Sequence, residues 1–268
     1  QDKYQRKPPL PFAPGGEIAG VIEALGAGVN AFKVGDRVCA WIGYGGFAEQ
    51  VAVDAAALVT IPTGVTFTQA ASFIIAHGSA YHALKDRGRL RAGQSLVVLG
   101  ASGGVGLAAV ELGRLMGARV IAACSTPEKL DAAREMGAAD GFVYPRTPLD
   151  DAARKHITLE IRRLTGGGAD VLFDPIGDEY AEPAFRAMAW GGRYLVIGFA
   201  AGQIPALRLN LALLKGCDIV GVNWGGSFTH EQDQATRNLH ELADWIGEGR
   251  LSPHVSATFP LAEGAKAI

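Results

Sequence analysis

Cysteine is scarce in this 268-residue chain: Cys39, Cys124 and Cys217 are the full set. Their number is odd, and their spacing matches neither a disulfide framework nor a zinc site. Each lies in a strand-like run, where a buried free thiol is the ordinary outcome, and a reducing, cytoplasmic compartment is expected. Charge of one sign is lacking as well. The net charge is −2 and no lysine–arginine run is dense, so nothing electrostatic points to nucleic acid or to an anionic membrane as partner. Long apolar runs are missing too, because glycine and charge interrupt each one, which excludes a helical membrane span. No periodic repeat accompanies the 36 glycines, so they read as tight turns and close backbone contacts rather than a fibre. What remains is ordinary globular composition, 49% hydrophobic and 19% charged, long enough for one large domain or two.

The pattern changes along the chain. Gln1–Pro14 is polar and proline-rich. "PGGEIAGVIEALG", "VGDRVCAW" and "GGFAEQVAV" then alternate apolar residues around glycine turns and predict short strands, an all-β beginning. "TFTQAASFIIAHGSAYHALKD" breaks the alternation and reads as helical, with Thr66 or Thr68 as N-cap. From Leu96 onward strand and helix alternate. Strands are expected at Leu96–Leu99, Arg119–Ala123, Gly141–Tyr144, Val171–Asp174, Arg193–Ile197 and Asp218–Val222. Helices are expected at Val105–Met116, Glu128–Met136, Asp150–Leu164, Glu179–Ala189 and Leu209–Leu214. Six continuous apolar strands between helices indicate a parallel sheet covered on both faces. "THEQDQATRNLHELADWIGEGRL" reads as an amphipathic helix, "PHVSATFPL" as a further strand-like run, and Ile268 falls within a helical pattern.

The strand ending at Leu99 and Gly100 leads into Ala101-Ser102-Gly103-Gly104-Val105-Gly106, an A-x-G-x-x-G variant of the dinucleotide fingerprint. The small first residue permits the tight turn, Gly103 lets backbone approach a pyrophosphate, and Gly106 lets the helix press on the strand. Exposed N–H groups and the positive end of the helix dipole then face the phosphates. A site that prefers NAD places Asp or Glu at the end of the second strand, to hold the ribose 2′-hydroxyl. This chain has Cys124 there. No carboxylate repels a 2′-phosphate, while Ser125 can donate to one and Lys129 can neutralise it, unless Lys129 is simply a solvated surface charge. The missing acid favours NADPH.

"PFAPGGEIAGVIEALG", "GDRV", "GGFAEQVAV", "GSAYHAL", "GASGGVGLAAVELG" and "GGRYLVIGFA" occur in an order that resembles quinone oxidoreductases of the zeta-crystallin type, zinc-free members of the medium-chain dehydrogenase/reductase superfamily. The resemblance covers essentially the whole chain. It implies an α/β fold: a doubly wound, six-stranded parallel Rossmann sheet plus a GroES-like β-rich catalytic domain. The implied divisions are residues 1–78 for the catalytic domain, 79–223 for the NADPH-binding domain, and 224–268 for a helix and strand returning to the first. It also implies that the β-rich domain continues beyond both ends of this sequence. The implied activity is NADPH-dependent reduction of a small-molecule quinone or other α,β-unsaturated carbonyl, in a cytoplasmic homodimer. A 2-enoyl-thioester reductase shares the scaffold and cofactor, and an NADPH-binding protein without turnover is a third reading. No metal is implied. Zinc alcohol dehydrogenases read Gly-His-Glu where this chain has Gly15-Gly16-Glu17, and the four-cysteine lobe that follows their Gly-Asp-Arg-Val segment is absent after Val38. Cys39 alone cannot hold zinc, and Glu17 reads as structural.

By the same resemblance, Ser102, Gly103, Gly104 and Val105 wrap the pyrophosphate, and Ser125, Lys129 and Tyr144 surround the 2′-phosphate. Asp178 lies near the adenosine. Ile197, Gly198, Phe199 and Ala200 border the nicotinamide, with Trp224, Gly225 and Gly226 against the same region; for Phe199 and Trp224 core packing is the competing reading. Metal-free hydride transfer needs hydrogen-bond donors for negative charge developing on a carbonyl oxygen. The candidates are Tyr4, His77 and Ser79. Tyr4 matches a family tyrosine that reaches cofactor or substrate, Ser79 stands where relatives carry threonine beside the nicotinamide, and His77 could relay a proton. A structural role for His77 competes with this, and Tyr81 reads as packing.

Overall fold

The structure, a computed structural model, describes residues 8–268 and divides into two compact units: residues up to Ile75 together with Leu239–Ile268, and Ala76–Asn238. In the first unit, β1 (Glu17–Val21), β2 (Arg37–Trp41) and β3 (Leu58–Thr60) form an antiparallel sheet in that order. Val38, Cys39 and Ala40 at the centre of β2 are buried in succession, and because successive side chains point to opposite faces, both faces of β2 are covered there. Thr66 caps α1 (Phe67–Ala70) through a reciprocal box. The Thr66 hydroxyl accepts from Gln69 N–H at 3.2 Å and the Gln69 side chain accepts from Thr66 N–H at 3.0 Å. Helix α2 (Ile74–Tyr81) follows and widens into a π-helical turn, His82–Arg87.

The second unit alternates β4 (Ser95–Leu99), α3 (Gly104–Leu115), β5 (Arg119–Cys124), α4 (Pro127–Glu135), β6 (Asp140–Val143), α5 (Asp151–Thr165), β7 (Ala169–Asp174), α6 (Ala181–Phe185), β8 (Met188–Val196), α7 (Asn210–Lys215), β9 (Asp218–Gly221) and α8 (Trp224–His230). The sheet runs β6-β5-β4-β7-β8-β9, and every pairing is parallel. This is the doubly wound order, which reverses between β4 and β7 and opens a crevice at their carboxyl ends. Strands β4 and β5 and the end of β7 are buried on both faces, which is why they read as unbroken apolar runs. Ser95 fixes the β4–β7 register: its N–H donates to the Asp170 carboxylate at 2.8 Å, and its hydroxyl accepts from Asp170 N–H at 3.0 Å. Helix α9 (Gln232–Gly247) crosses the boundary between the units, and the short α10 (Gly264–Ala267) ends the chain.

Four expectations change. "GGFAEQVAV" is not a strand. Gly45, Gly46 and Phe47 donate to Ala13, Gly15 and Pro14, and beyond them no described strand takes up the ladder. "PHVSATFPL" is likewise irregular among the described residues. The helix expected over Glu179–Ala189 stops at Phe185, because Met188 already pairs with Ala169 and the sheet overrides helix propensity. The long amphipathic helix breaks at Glu231, whose φ of −139° is non-helical. Residues 224–238 belong to the same compact unit as the parallel sheet. Trp224 packs on Gly78, and the Asn238 amide donates to Asp86 at 2.7 Å, which explains where that segment goes.

Candidate active site

Between β4 and α3 the chain turns through Gly100–Gly103, with Ala101 N–H donating to Ala123 at 3.2 Å and Gly103 N–H to Gly100 at 3.0 Å. A Cβ at Gly106 would collide with the Gly100 carbonyl oxygen, so only glycine lets α3 sit this close to β4. A Cβ at Gly104 would meet nothing, and Gly103 and Gly104 are exposed. The front of the turn is therefore bare backbone. Because the first N–H groups of a helix have no partner within it, Gly104 and Val105 present donors there, beside the half-buried Ser102. That arrangement fits a diphosphate.

At the end of β5, Cys124 is fully buried and its thiol donates to the Lys129 carbonyl at 3.5 Å. Burial pushes the thiol pKa up, opposed by contacts with Ser102, so the position that could have carried a carboxylate holds a neutral group against the glycine turn. Thr126 caps α4 by accepting from Lys129 N–H, and Pro127 starts it, which turns the Lys129 side chain back over Ser125. Lys129 Nζ donates to Ser125 Oγ at 3.2 Å. Tyr144 lies deeper. It is buried, its ring is 4.8 Å from that of Tyr180, and its pKa is raised chiefly by burial. Ser125 and Lys129 thus come together at the surface, whereas Tyr144 belongs to the core beneath them.

The loops after β7 and β8 carry Asp178 and Ile197–Ala200. Asp178 has a left-handed φ of +54°, and its carboxylate accepts from Glu179 N–H at 2.8 Å. Ile197, Gly198 and Phe199 are half-buried and Ala200 is exposed. Trp224 is buried, edge-on to Phe228 at 5.1 Å, and its indole fills the space a side chain at Gly78 would need. Gly225 and Gly226 follow it in the first turn of α8, capped by Asn223, which accepts from Gly226 N–H at 3.0 Å.

Helix α2 carries the remaining candidates. The Glu17 carboxylate accepts from Ile75 N–H at 2.8 Å, capping the helix start, and burial pushes its pKa up to about 7 against the opposing pull of those amides. His77 is buried, with Nε2 3.0 Å from Oε2 of the equally buried Glu111 on α3; Nδ1 has no hydrogen-bond partner among the described residues. Ser79 is half-buried and Tyr81 buried, with Lys85 Nζ 4.6 Å over the Tyr81 ring. Tyr4 lies outside the described residues. Glu111 and the strand-end acid Asp174 escaped sequence reading. The only signal for either was an acid placed among apolar residues, in "AAVELG" and "VLFDPIG".

The sequence matches a family profile described as zinc-binding dehydrogenase over residues 104–243 and one described as alcohol dehydrogenase GroES-like domain over residues 1–63. A quinone oxidoreductase-like protein 2 homolog from Nematostella vectensis is 37% identical over 263 residues, 97% of this chain and 70% of that protein. Among solved structures, the quinone oxidoreductase of Thermus thermophilus, also determined with NADPH, is 32% identical with a TM-score of 0.81, covering 98% of this chain and 78% of that one. A mycobacterial protein determined in complex with NADPH is 28% identical with a TM-score of 0.87, covering 98% and 80%. The first profile's description raises zinc. Among the described residues no three His, Cys, Asp or Glu side chains converge, and burial pushes the Cys39 thiol up to about 12. A glycine turn on a doubly wound sheet, joined to a GroES-like segment and to sequence identity along almost the whole chain, places this protein in the quinone oxidoreductase family of the medium-chain dehydrogenase/reductase superfamily.

Proposed function

We propose that this protein is an NADPH-dependent reductase that delivers a hydride, without a metal, to a quinone or other α,β-unsaturated carbonyl. The observation that carries this reading is the pairing of bare backbone at the start of α3 with the Ser125–Lys129 contact beside the uncharged Cys124. The amides suit a pyrophosphate, and the hydroxyl and ammonium suit a 2′-phosphate that a carboxylate would repel. When bound, the reduced nicotinamide supplies the hydride. The chain's own part is to orient the ring, exclude water, and offer a donor to the carbonyl oxygen as negative charge develops there. This reading gives that donor role to Ser79, with Tyr4 as a further candidate. It gives His77 the task of holding α2 through Glu111, since His77 is buried in that pair.

The test mixes the protein with NADPH and an ortho-quinone and follows the loss of nicotinamide absorbance. Quinone-dependent oxidation supports the reading. Binding without oxidation favours a cofactor-binding protein, and turnover confined to a crotonyl thioester favours a 2-enoyl-thioester reductase.

The same reading makes the protein a homodimer in a reducing, cytoplasmic compartment. No helix among the described residues is long and apolar enough to cross a membrane, and three buried free thiols suit reducing conditions. Strand β9 is the sheet's outer strand, and exposed Ile219 on it, Leu213 and Leu214 on α7, and Trp190 beside Gly216 offer apolar surface there. A second copy adding its own β9 would cover both edge and patch. Light scattering should give twice the chain mass, and Ile219→Lys should lower it; an unchanged mass for the variant would remove this edge from consideration.

A further inference from the structure

Asp174 ends β7 at the place where the strand order reverses, and it is 2% exposed. Burying a carboxylate is costly unless donors meet it. Three do. Oδ1 accepts from Ile176 N–H at 2.9 Å and Gly177 N–H at 2.8 Å, and Oδ2 accepts from the hydroxyl of Tyr194 on β8. Its backbone carbonyl accepts two more, from Ile197 N–H at 3.0 Å and Gly198 N–H at 3.3 Å. One residue therefore organises the loops that leave both strands.

Those loops are then laced together. Ala200 N–H donates to Pro175, Ala201 N–H to Ile176, and Asp178 N–H to Gln203, each at 3.0 Å. Gly177 and Asp178 are both left-handed, and a Cβ at Gly177 would lie 2.8 Å from the Phe199 ring. On the other side, Ile176 packs so closely on Gly100 that a Cβ there would lie 2.7 Å from it. The lacing thus reaches from the phosphate turn to Phe199. Tyr194 cannot shift to follow a displaced loop, because it is 1% exposed and its ring meets Phe185 edge-on at 5.3 Å. Burial pushes the Asp174 carboxyl pKa up while its three donors pull it down. A turn that needed only an acceptor could use asparagine. A carboxylate offers one oxygen to the Ile176 and Gly177 amides and the other to the Tyr194 hydroxyl on β8.

We propose that Asp174 and Tyr194 are positioning residues: together they set the spacing of the Pro175–Asp178 and Ile197–Ala200 loops, and so set where the reacting end of the cofactor lies. This rests on the NADPH reading above. The probe that isolates it is 2′-phospho-ADP-ribose, a fragment with both phosphate sites but no nicotinamide. In Tyr194→Phe the Kd for NADPH should rise about tenfold and single-turnover hydride transfer should slow, while the fragment stays within about twofold of wild type. Asp174→Asn keeps an acceptor for the two amides and can donate to the Tyr194 oxygen, so it should retain most NADPH affinity; Asp174→Ala should not. Equal losses for NADPH and fragment, or unchanged NADPH binding in Tyr194→Phe, overturn the positioning role. A wild-type protein that binds neither ligand overturns the cofactor reading instead. If Asp174→Ala does not fold, Tyr194→Phe and Asp174→Asn still decide the matter.

Discussion

Two regions of this molecule handle charge in opposite ways. At the start of α3 the groups on offer are backbone amides, framed by small residues contiguous in sequence from Gly100 to Gly106. Around α2 they are buried side chains whose partners are remote: Glu17 meets Ile75 across 58 positions, and His77 meets Glu111 across 34. The first region works through bare backbone, so what matters is the absence of side chains. The second works through desolvated acids, so what matters is whether each acid keeps its donor.

The largest effect should come from breaking the second region. Glu111→Ala leaves His77 buried with neither ring nitrogen partnered by that acid, and chemical denaturation should show a loss of about 2–4 kcal/mol. Glu111→Gln, which keeps an acceptor, should recover most of it. A loss no greater than that of an exposed alanine substitution would mean the pair contributes nothing.

Glu17 gives a pH signature to the same region. Its folded-state pKa of about 7 stands above the ordinary value of 4.5. Between the two, the folded protein binds more protons than the unfolded chain, so this group's contribution is fully present below about 4.5 and is lost as pH rises through about 7. The loss is up to about 3 kcal/mol. Glu17→Gln keeps the acceptor without the charge, so it should raise Tm at pH 8 and leave it nearly unchanged at pH 5. Parallel Tm–pH curves for the two proteins would show that Glu17 does not titrate in this way.

The first region should respond more gently, in binding rather than folding. On the proposed reading, in which the Lys129 ammonium beside Ser125 takes a 2′-phosphate, Lys129→Ala should weaken NADPH about tenfold and leave NADH nearly untouched. Equal losses for both cofactors would return Lys129 to the solvated surface. Ser125→Ala should act in the same direction but about threefold, one neutral hydrogen bond's worth. Isothermal titration with both nucleotides reads both variants.

The parallel sheet was legible because its strands are buried on both faces, which forces continuous apolar runs such as Leu96–Leu99 and Val171–Phe173. Thr66 and Thr68 both read as N-cap candidates, and the structure uses Thr66, whose reciprocal bonds with Gln69 complete a capping box. The "GGFAEQVAV" segment misled because alternation records a residue's preference for a pleated surface, while a strand also needs a neighbour to take its hydrogen bonds. Met188 misled in the opposite direction. Its helix-favouring surroundings yielded to pairing with Ala169, a contact no local window contains.

By itself, the sequence determined the alternation of strands and helices, the glycine turn, and the thiol standing where an acid would select a different nucleotide, because each depends on residues close together along the chain. Only the tertiary structure decided that Tyr144 lies in the core while Lys129 stays outside, that Glu111 meets His77, and that Asp174 ties two loops to Tyr194. The physical reason is that a buried polar group must find its partner wherever the fold brings one, and sequence distance places no limit on where that is.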